Sequence, residues 1–426
     1  MYLEDLPAAA RGVARGLVTS RALVEAALRR YDEREPTLHA FTWLDRERAL
    51  RLADGIDQRR ARGEDPGLLA GVPIGVKDIF DTAGIPTERG SALFAGRVPD
   101  ATAEVVLALE AAGAIVLGKT VTAELAFYHS GPTTNPHDPS RTPGGSSMGS
   151  AAAVAAGIIP AAVGSQTNGS IVRPAAFCGV VGFKPTYGRI PRDGVFPFAP
   201  TLDHVGGFAR SVEGVAWLCA AMTREPLERW WQPPSRAPRL AAVRTKDWEL
   251  ATDAMRLRFQ EAVDRLASSG GPIEWPPLPA DLDDAIPVVR TIMTYESART
   301  IGPHVDRRPE LVSDVARSFF AEGALVPEGD HRAALLERDR LVAAFADWCA
   351  PYDAILTLPA AGEAPTRETT GDPRFCSRWT LIGAPAVTIP IGRGPSGLPL
   401  GLQLVGAPGD DRRLLSAAAW AEDALR

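Results

Sequence analysis

The sequence predicts an α/β fold in which helices cover a central β-sheet. Helix and strand signals alternate along the chain, and 426 residues are enough to bury a large core. A helical pattern at 102–112 passes through Gly113 into an apolar strand pattern at 114–117, a step typical of covered parallel sheets. Hydrophobic content of 45% and charged content of 23% are ordinary for a globular enzyme.

Local patterns predict the other elements in chain order. Apolar residues at 23, 24, 27, 28 and 31 form a helical stripe over 22–34, which Pro36 is expected to close. An Arg-rich helix is expected at 45–63 and an Ala-rich one at 149–156, with short strands at 178–183 and 187–190. The last strands are predicted at 354–358, 386–391 and 400–405, before a helix at 410–425.

Charge and cysteine usage exclude several classes of function. A net charge of −6 and a pI near 5.7 argue against a nucleic-acid or acidic-membrane surface. The acidic opening Met-Tyr-Leu-Glu-Asp shows no signal peptide, so we expect a cytoplasmic protein. The longest uncharged run, 142–172, is interrupted by Pro160 and Gly/Ser loops, unlike a membrane span. The four cysteines are too widely spaced for a zinc motif, and buried free thiols are expected.

The stretch 143–174 predicts a nucleophile region. It places two serine-bearing Gly/Ser loops around one Ala-rich helix, and it is almost uncharged. Glycine-flanked serines let backbone N–H groups and hydroxyls crowd around a ligand. A helix that begins in such a loop adds unpaired N–H groups and the positive end of its dipole. This arrangement suits a developing oxyanion, so the sequence indicates an enzyme.

Lysine is rare in this chain, and the rarity suggests a base. Of the 46 cationic residues four are lysines, which leaves 46 − 4 = 42 arginines. A desolvated lysine can act as a base, whereas arginine cannot lose its proton in a protein. Lys77, Lys119 and Lys184 each follow or end an apolar run, and scarcity alone does not choose among them.

Several linked motifs resemble the amidase signature family. GVPIGVKD at 71–78, GGSSMGS at 144–150 and GSQTNGSIVRPAAFCGVVGFKPT at 164–186 are similar to its signature region. Further similar segments are TLDHVG at 201–206, GAPAVTIPIG at 383–392 and GLPLGLQLVG at 397–406. The resemblance implies a large central mixed β-sheet covered by helices on both faces. It implies one domain with a helical layer at 1–66, the signature core at 67–215, a variable, mainly helical lobe at 216–350, and a return to the sheet at 351–426.

The resemblance also assigns site residues. It implies that Lys77 is the base, Ser146 a bridging serine and Ser170 the nucleophile, with a cis peptide bond on the Gly145 side of Ser146. The oxyanion hole would be formed by backbone N–H groups of Ser170 and of the residues leading into it, Thr167, Asn168 and Gly169.

Four positions depart from the family pattern. Met148 and Asn168 replace glycines, Gln166 replaces an acidic residue, and the arginine after the nucleophile comes one position late, at Arg173. None of these changes removes a hydroxyl, an amine or an oxyanion N–H. They alter the polar lining beside the nucleophile, and therefore the choice of substrate.

The implied activity is hydrolysis of a small carboxamide to a carboxylate plus ammonia or an amine, with esters and carbamates left open. No cofactor or metal is implied, and the resemblance leaves a homodimer open. Phe127, Tyr128 and His129 would lie along the substrate channel, where aromatic rings favour aryl or hydrophobic amides. Core packing of the aromatic residues and a structural role for His129 are the alternatives.

Other interpretations are open. Residues 145–149 satisfy G-x-S-x-G, which would make Ser147 the nucleophile, but three prolines in 135–143 disfavour the strand that such an elbow needs. Cys178 as a nucleophile lacks a well-placed histidine. The chain could also be the amidase subunit of a glutamine-dependent tRNA amidotransferase, or a binding module without catalysis.

Overall fold

The computed structural model describes residues 2–127 and 129–426, and Met1 and Tyr128 lie outside them. Within the described residues, eleven strands form one sheet. The strands are β1 (Phe41–Leu44), β2 (Pro73–Lys77), β3 (Ile115–Thr120), β4 (Ala161–Gln166), β5 (Val181–Lys184), β6 (His204–Ala209), β7 (Leu240–Ala242), β8 (Ile273–Glu274), β9 (Ala354–Thr357), β10 (Ala386–Arg393) and β11 (Pro399–Val405).

The sheet is mixed, as the family resemblance implied. Its strand order is β1-β3-β2-β4-β6-β5-β10-β11-β9-β7-β8. β2 runs parallel to β3 and β4, and β7 runs parallel to β8 and β9, whereas the other neighbours are antiparallel. Most strands between β3 and β9 are buried along their whole length, which explains their nearly continuous apolar runs.

Helices cover both faces of the sheet, and the predicted fold class is confirmed. Among the described residues they are α1 (Leu6–Ala14), α2 (Ser20–Leu38), α3 (Arg46–Ala61), α4 (Glu104–Ala111), α5 (Met148–Ala155), α6 (Val172–Cys178), α7 (Val212–Thr223), α8 (Asp253–Ser268), α9 (Ala280–Asp283), α10 (Ile286–Thr300), α11 (Gly302–Val305), α12 (Asp314–Ala324), α13 (Glu328–Cys349), α14 (Arg374–Leu381) and α15 (Asp411–Ala424). None of these helices combines the length and the apolar character that crossing a bilayer would take.

Several local predictions need correction. The helix expected to end before Pro36 continues to Leu38, because Leu38 is buried and the Glu35 carboxylate accepts the N–H groups of Ala40 and Phe41 just beyond the last turn. The strand expected at 187–190 is a turn, in which Gly188 has a φ of 74°.

Two core strands had no clear signal in the sequence. β4 and β6 read AAVGSQ and HVGGFA, and such small residues hide the β pattern. The stretch 216–350 is mainly helical, but it also supplies β7 and β8, which join the sheet through β9. The expected subdivision of the domain stays a prediction.

One close backbone contact positions the helix after the first serine loop. A Cβ atom on Gly149 would lie 2.1 Å from the carbonyl oxygen of Ala40 and 2.5 Å from the amide nitrogen of Val121. The Gly149 N–H also donates to the Val121 carbonyl at 3.0 Å. Because both obstructing atoms belong to backbone, α5 can pack here only through a glycine.

We therefore expect Gly149→Ala to lower the free energy of unfolding by about 1–3 kcal/mol, the usual cost of overpacking. Gly55→Ala is the matched control, since Gly55 lies in α3 and a Cβ atom added there would have no neighbouring atom within 4 Å. It should stabilise the helix by about 0.5–1 kcal/mol. Thermal and urea unfolding of both variants measure the difference, and equal stability of the two would contradict this packing.

Candidate active site

The candidate site lies at one edge of the sheet, where three parallel strands end. Lys77, the last residue of β2, pairs with Thr120, the last residue of β3. Neighbouring β4 ends at Gln166, so the loop 167–170 leaves the sheet at the same edge. β6 is antiparallel to β4, and its first residue, His204, pairs with Gln166, which brings the preceding Asp203 to this edge too.

Lys77 is fully buried beside two hydroxyl groups. Its Nζ atom lies 2.8 Å from Ser146 Oγ and 2.9 Å from Ser165 Oγ. Burial lowers the pKa of Lys77 to about 7, and the negative charge of Asp203 acts in the opposite direction. The amine is therefore available as a base near neutral pH.

Ser146 lies in the loop before α5, and the Gly145–Ser146 peptide bond is cis, as expected. The Ser146 carbonyl accepts the N–H of Ala123 at 3.0 Å. The Gly145 carbonyl accepts a hydrogen bond from Arg173 Nη2 at 2.7 Å, and Arg173 Nε donates to the Thr370 carbonyl at 2.8 Å. Arg173, which stands one position later than in the family pattern, thus links the loop of Ser146 to the segment around Thr370.

Ser170 lies in the second serine loop, just before α6, and 9% of its surface is exposed. Among the described residues, the backbone N–H groups of Gly169 and Ser170 have no protein acceptor. Buried N–H groups nearly always find a partner, so this pair marks a place for an external oxygen atom. Two such donors side by side can stabilise a negatively charged oxygen atom.

Gln166 holds this loop through both ends of its amide. Its Oε1 accepts the N–H groups of Ile171 and Val172 at 2.8 and 3.0 Å, at the start of α6. Its Nε2 donates to Thr380 Oγ1 at 3.0 Å, and that hydroxyl donates to the Asn168 carbonyl at 2.7 Å. A neutral amide can do both, because it carries an acceptor and a donor.

Thr167 connects the loop to the buried carboxylate of Asp203. Thr167 Oγ1 donates to Asp203 Oδ1, and the other hydrogen bonds to this carboxylate come from the N–H groups of Phe198 and Ala199. Burial raises the pKa of Asp203 to about 6, although these hydrogen bonds favour the anion. Asp203 thus accepts a hydrogen bond from the loop 167–170, and its charge also acts on the pKa of Lys77.

The predicted aromatic segment is only partly described. The Phe127 ring stacks on Phe198, with 5.6 Å between the ring centroids, and it contacts Phe319 and Phe320 of α12. His129 is exposed, and Tyr128 lies outside the described residues. Phe127 therefore both packs in the core and reaches the site.

Two adjoining cavities open onto these groups. A small one of about 20 Å³ lies against Ser170, with Phe127, Phe198 and Met293 on its apolar side. A larger one of about 450 Å³ reaches Ser165, Thr167 and Asp203. Ala126, Thr167 and Phe198 line both.

Sequence reasoning missed three residues of this site: Ser165, Asp203 and Thr380. The first two lie inside GSQTNGS and TLDHVG, motifs that identified the family without assigning these positions a role. Thr380 had no signal, because α14 reaches the loop only through tertiary packing.

The structure disfavours both rival nucleophiles. Ser147 Oγ is buried and donates to the Ser165 carbonyl at 3.2 Å, and the described residues 129–147 contain no strand that could form an elbow. Cys178 is buried, donates to the Pro143 carbonyl at 3.3 Å, and has its thiol pKa raised by burial. All four cysteines are buried and free. Across the described residues, no group of three or more His, Cys, Asp or Glu side chains could hold a metal ion.

Known proteins resemble the chain along nearly its whole length. The sequence profile of the family described as Amidase matches residues 22–415. The AtzE subunit of the 1-carboxybiuret hydrolase of Pseudomonas sp. (strain ADP) is 35% identical over 97% of this chain and 96% of its own. A subunit of the glutamyl-tRNA(Gln) amidotransferase of Koribacter versatilis is 32% identical over 96% and 95%. The native peptide amidase of Stenotrophomonas maltophilia superimposes with a TM-score of 0.85 at 28% identity, covering 99% of this chain and 97% of its own.

These findings define the class of protein: a hydrolase of carbon–nitrogen bonds with the amidase signature fold. The chain belongs to the amidase signature family, as the motifs at 71–78, 144–150 and 164–186 indicated.

Gln166→Leu should lower the free energy of unfolding by about 2–4 kcal/mol, because two buried N–H groups would lose their acceptor and the Thr380 hydroxyl would lose one of its two hydrogen bonds. Gln58→Leu, at an exposed position of α3, should change it by less than about 0.5 kcal/mol. Thermal unfolding of the two variants checks the difference. A small effect of Gln166→Leu would show that the loop holds without this amide.

Proposed function

We propose that this chain hydrolyses carboxamide C–N bonds, to a carboxylate and ammonia or an amine, through an acyl-enzyme on Ser170. The observation that carries the proposal is the fully buried amine of Lys77, 2.8 Å from Ser146 Oγ, with its pKa lowered to about 7. Relatives named amidase and hydrolase support this reaction class.

In the acylation half-reaction, Ser170 Oγ attacks the carboxamide carbon. The Ser170 proton passes to Ser146 Oγ, while the proton of Ser146 passes to neutral Lys77. The carbonyl oxygen becomes an oxyanion, which the N–H groups of the loop Thr167, Asn168, Gly169 and Ser170 stabilise. The C–N bond then breaks, and protonated Lys77 returns a proton through Ser146 to the leaving nitrogen.

Water completes the cycle by attacking the acyl carbon. It gives a proton along the same route to Lys77, and the departing Ser170 oxygen takes a proton back. The product leaves as a carboxylic acid, which releases its proton to water to form the carboxylate, and every group of the enzyme returns to its starting protonation state. Each step uses side chains and N–H groups of the chain itself.

Burial of Lys77 is what lets this scheme operate at neutral pH. An exposed lysine has a pKa of about 10.4, so only about one molecule in a thousand would be neutral near pH 7.4. Burial lowers the Lys77 pKa to about 7, which makes the neutral amine abundant. The proposed base thus needs no partner residue to remove its proton.

The lining of the small cavity supports hydrophobic or aryl amides as substrates. Phe127, Phe198 and Met293 present apolar surface beside Ser170. Tyr128 and His129 belong to the same proposed substrate segment. Esters and carbamates could form the same acyl-enzyme, because their carbonyl carbons accept the same attack.

A second candidate is the amidase subunit of a glutamine-dependent tRNA amidotransferase. Relatives with a tRNA amidotransferase name align with nearly the whole chain at 32–35% identity. Gln166 and Asn168 argue against it, because they stand where the family pattern has an acidic residue and a glycine. We expect the purified chain to hydrolyse small amides without other subunits and to show no glutaminase activity; glutaminase activity with co-purifying subunits would favour the second candidate.

Variants of the proposed triad test the assignment. We expect Ser170→Ala, Lys77→Arg and Lys77→Met each to lower kcat/KM by about 10⁴-fold, because each removes an essential proton acceptor or the nucleophile. A fluorophosphonate should form its adduct on Ser170 in the wild type, found by peptide mapping. Circular dichroism confirms that each variant is folded. An adduct on Ser147, or near-normal turnover by Lys77→Arg, would overturn the assignment.

The pH dependence of kcat/KM follows from the same base. Lys77 must be neutral to accept the proton, so kcat/KM should fall as the pH drops below the Lys77 pKa of about 7. The rate of fluorophosphonate labelling of Ser170 should show the same acid limb. A flat profile between about pH 5 and about pH 9 would exclude Lys77 as the base.

A further inference from the structure

The amine of Lys77 has a second hydroxyl neighbour, and the proposed mechanism does not use it. Ser165 Oγ lies 2.9 Å from Lys77 Nζ, as close as the bridging serine at 2.8 Å. Ser165 lies in β4, which runs parallel to β2, and 8% of its surface is exposed, at the wall of the larger cavity. Among the described residues, Ser146 and Ser165 are the hydrogen-bond partners of this amine.

A neutral amine has one lone pair and two N–H groups. To receive the proton of Ser146, Lys77 must point its lone pair at Ser146 Oγ, and its N–H groups must then point elsewhere. A hydroxyl oxygen can accept one of them. After proton transfer, the same oxygen can accept a hydrogen bond from the ammonium group.

We propose that Ser165 is a positioning residue, which accepts an N–H of neutral Lys77 and so turns the lone pair of the amine toward Ser146. The inference rests on the proposed function, because it gives Ser165 a role only if Lys77 is the base. Ser165 acts through Lys77 and does not touch the reacting atoms.

The backbone of Ser165 is held in place for this role. Its N–H donates to Ser147 Oγ at 3.3 Å, and its carbonyl accepts the hydrogen bond of the same hydroxyl at 3.2 Å. Ser147 directly follows the bridging serine in the chain. The Ser147 hydroxyl thus connects the backbone of Ser165 to the residue that follows Ser146.

The charges around Lys77 would not change if the Ser165 hydroxyl were removed. Asp203, next to the start of β6, raises the pKa of Lys77, and buried His204 has its own pKa well below the usual range. On β3, Lys119 pairs with Asp78 at 3.4 Å. Removing the hydroxyl withdraws a hydrogen bond from the ammonium form, so the pKa of Lys77 should fall.

The test compares Ser165→Ala with Ser165→Thr, which keeps a hydroxyl in a strand position. Ser150→Ala is the matched control, since buried Ser150 donates to Val163 of the same strand and does not contact Lys77. Ser165→Ala should lower kcat roughly 10- to 100-fold with KM changed less than about threefold. In Ser165→Ala, the fall of kcat/KM at acid pH should begin at a lower pH than in the wild type. Ser165→Thr and Ser150→Ala should keep the wild-type kcat and pH profile.

Labelling with [ε-¹³C]lysine gives a readout that does not depend on turnover. The chain has four lysines, so the Lys77 signal can be assigned by its loss in Lys77→Arg. In Ser165→Ala this signal should titrate at lower pH than in the wild type. If Ser165→Ala fails to fold, Ser165→Gly, which removes the whole CH2OH group, replaces it in both measurements.

The outcomes separate this inference from the proposed function. If Ser165→Ala keeps the wild-type kcat and Lys77 titration while Ser170→Ala and Lys77→Arg are inactive, the positioning role is wrong and the amidase mechanism stands. Equal losses in Ser165→Ala, Ser165→Thr and Ser150→Ala, with an unchanged Lys77 titration, would mean a structural role only. Activity in Ser170→Ala would overturn both.

Discussion

The site depends on one buried amine, which among the described residues has two serine hydroxyls as hydrogen-bond partners and no carboxylate in contact. Lys77 is as inaccessible as Lys119 and Lys184, but their partners differ. Lys119 is 3.4 Å from the Asp78 carboxylate and donates to Thr87 Oγ1 and to the Phe80 carbonyl, whereas Lys184 donates to the carbonyls of Pro185 and Ala384. The negative charge of Asp78 favours the ammonium form of Lys119, and the carbonyls beside Lys184 can only accept hydrogen bonds. The serine hydroxyls beside Lys77 can both accept a hydrogen bond and give a proton.

The loop that presents Ser170 is stabilised by hydrogen bonds from distant parts of the chain. Gln166 and Asn168 reach Thr380 and Ser377 of α14, and Thr167 reaches Asp203 before β6. In this chain a neutral amide, Gln166, occupies the position where the family pattern has an acid. It still caps the start of α6, and its extra donor adds the link to α14. The departure therefore preserves the loop without burying another negative charge.

The sequence predicted the residues of the proposed site better than it predicted some of the strands and helices around them. Lys77, Ser146 and the cis bond at Gly145 were expected from local motifs, and the structure brings the lysine and the serine within hydrogen-bonding distance. Short apolar runs with β-branched residues, such as those of β3 and β10, also predicted strands well. β4 and β6 had too little side chain to do so, and Pro36 suggests a helix end although tertiary packing carries α2 past it.

The sequence by itself determined the family, the α/β class and the residue types of the site, because these are written in contiguous motifs of a few residues. Only the tertiary structure decided that a second hydroxyl, that of Ser165, lies against Lys77, and which remote residues hold the loop 167–170. Ser165, Asp203 and Thr380 reach the site from different strands, loops and helices. Such contacts depend on the register and packing of elements up to 214 residues apart, which no local pattern encodes.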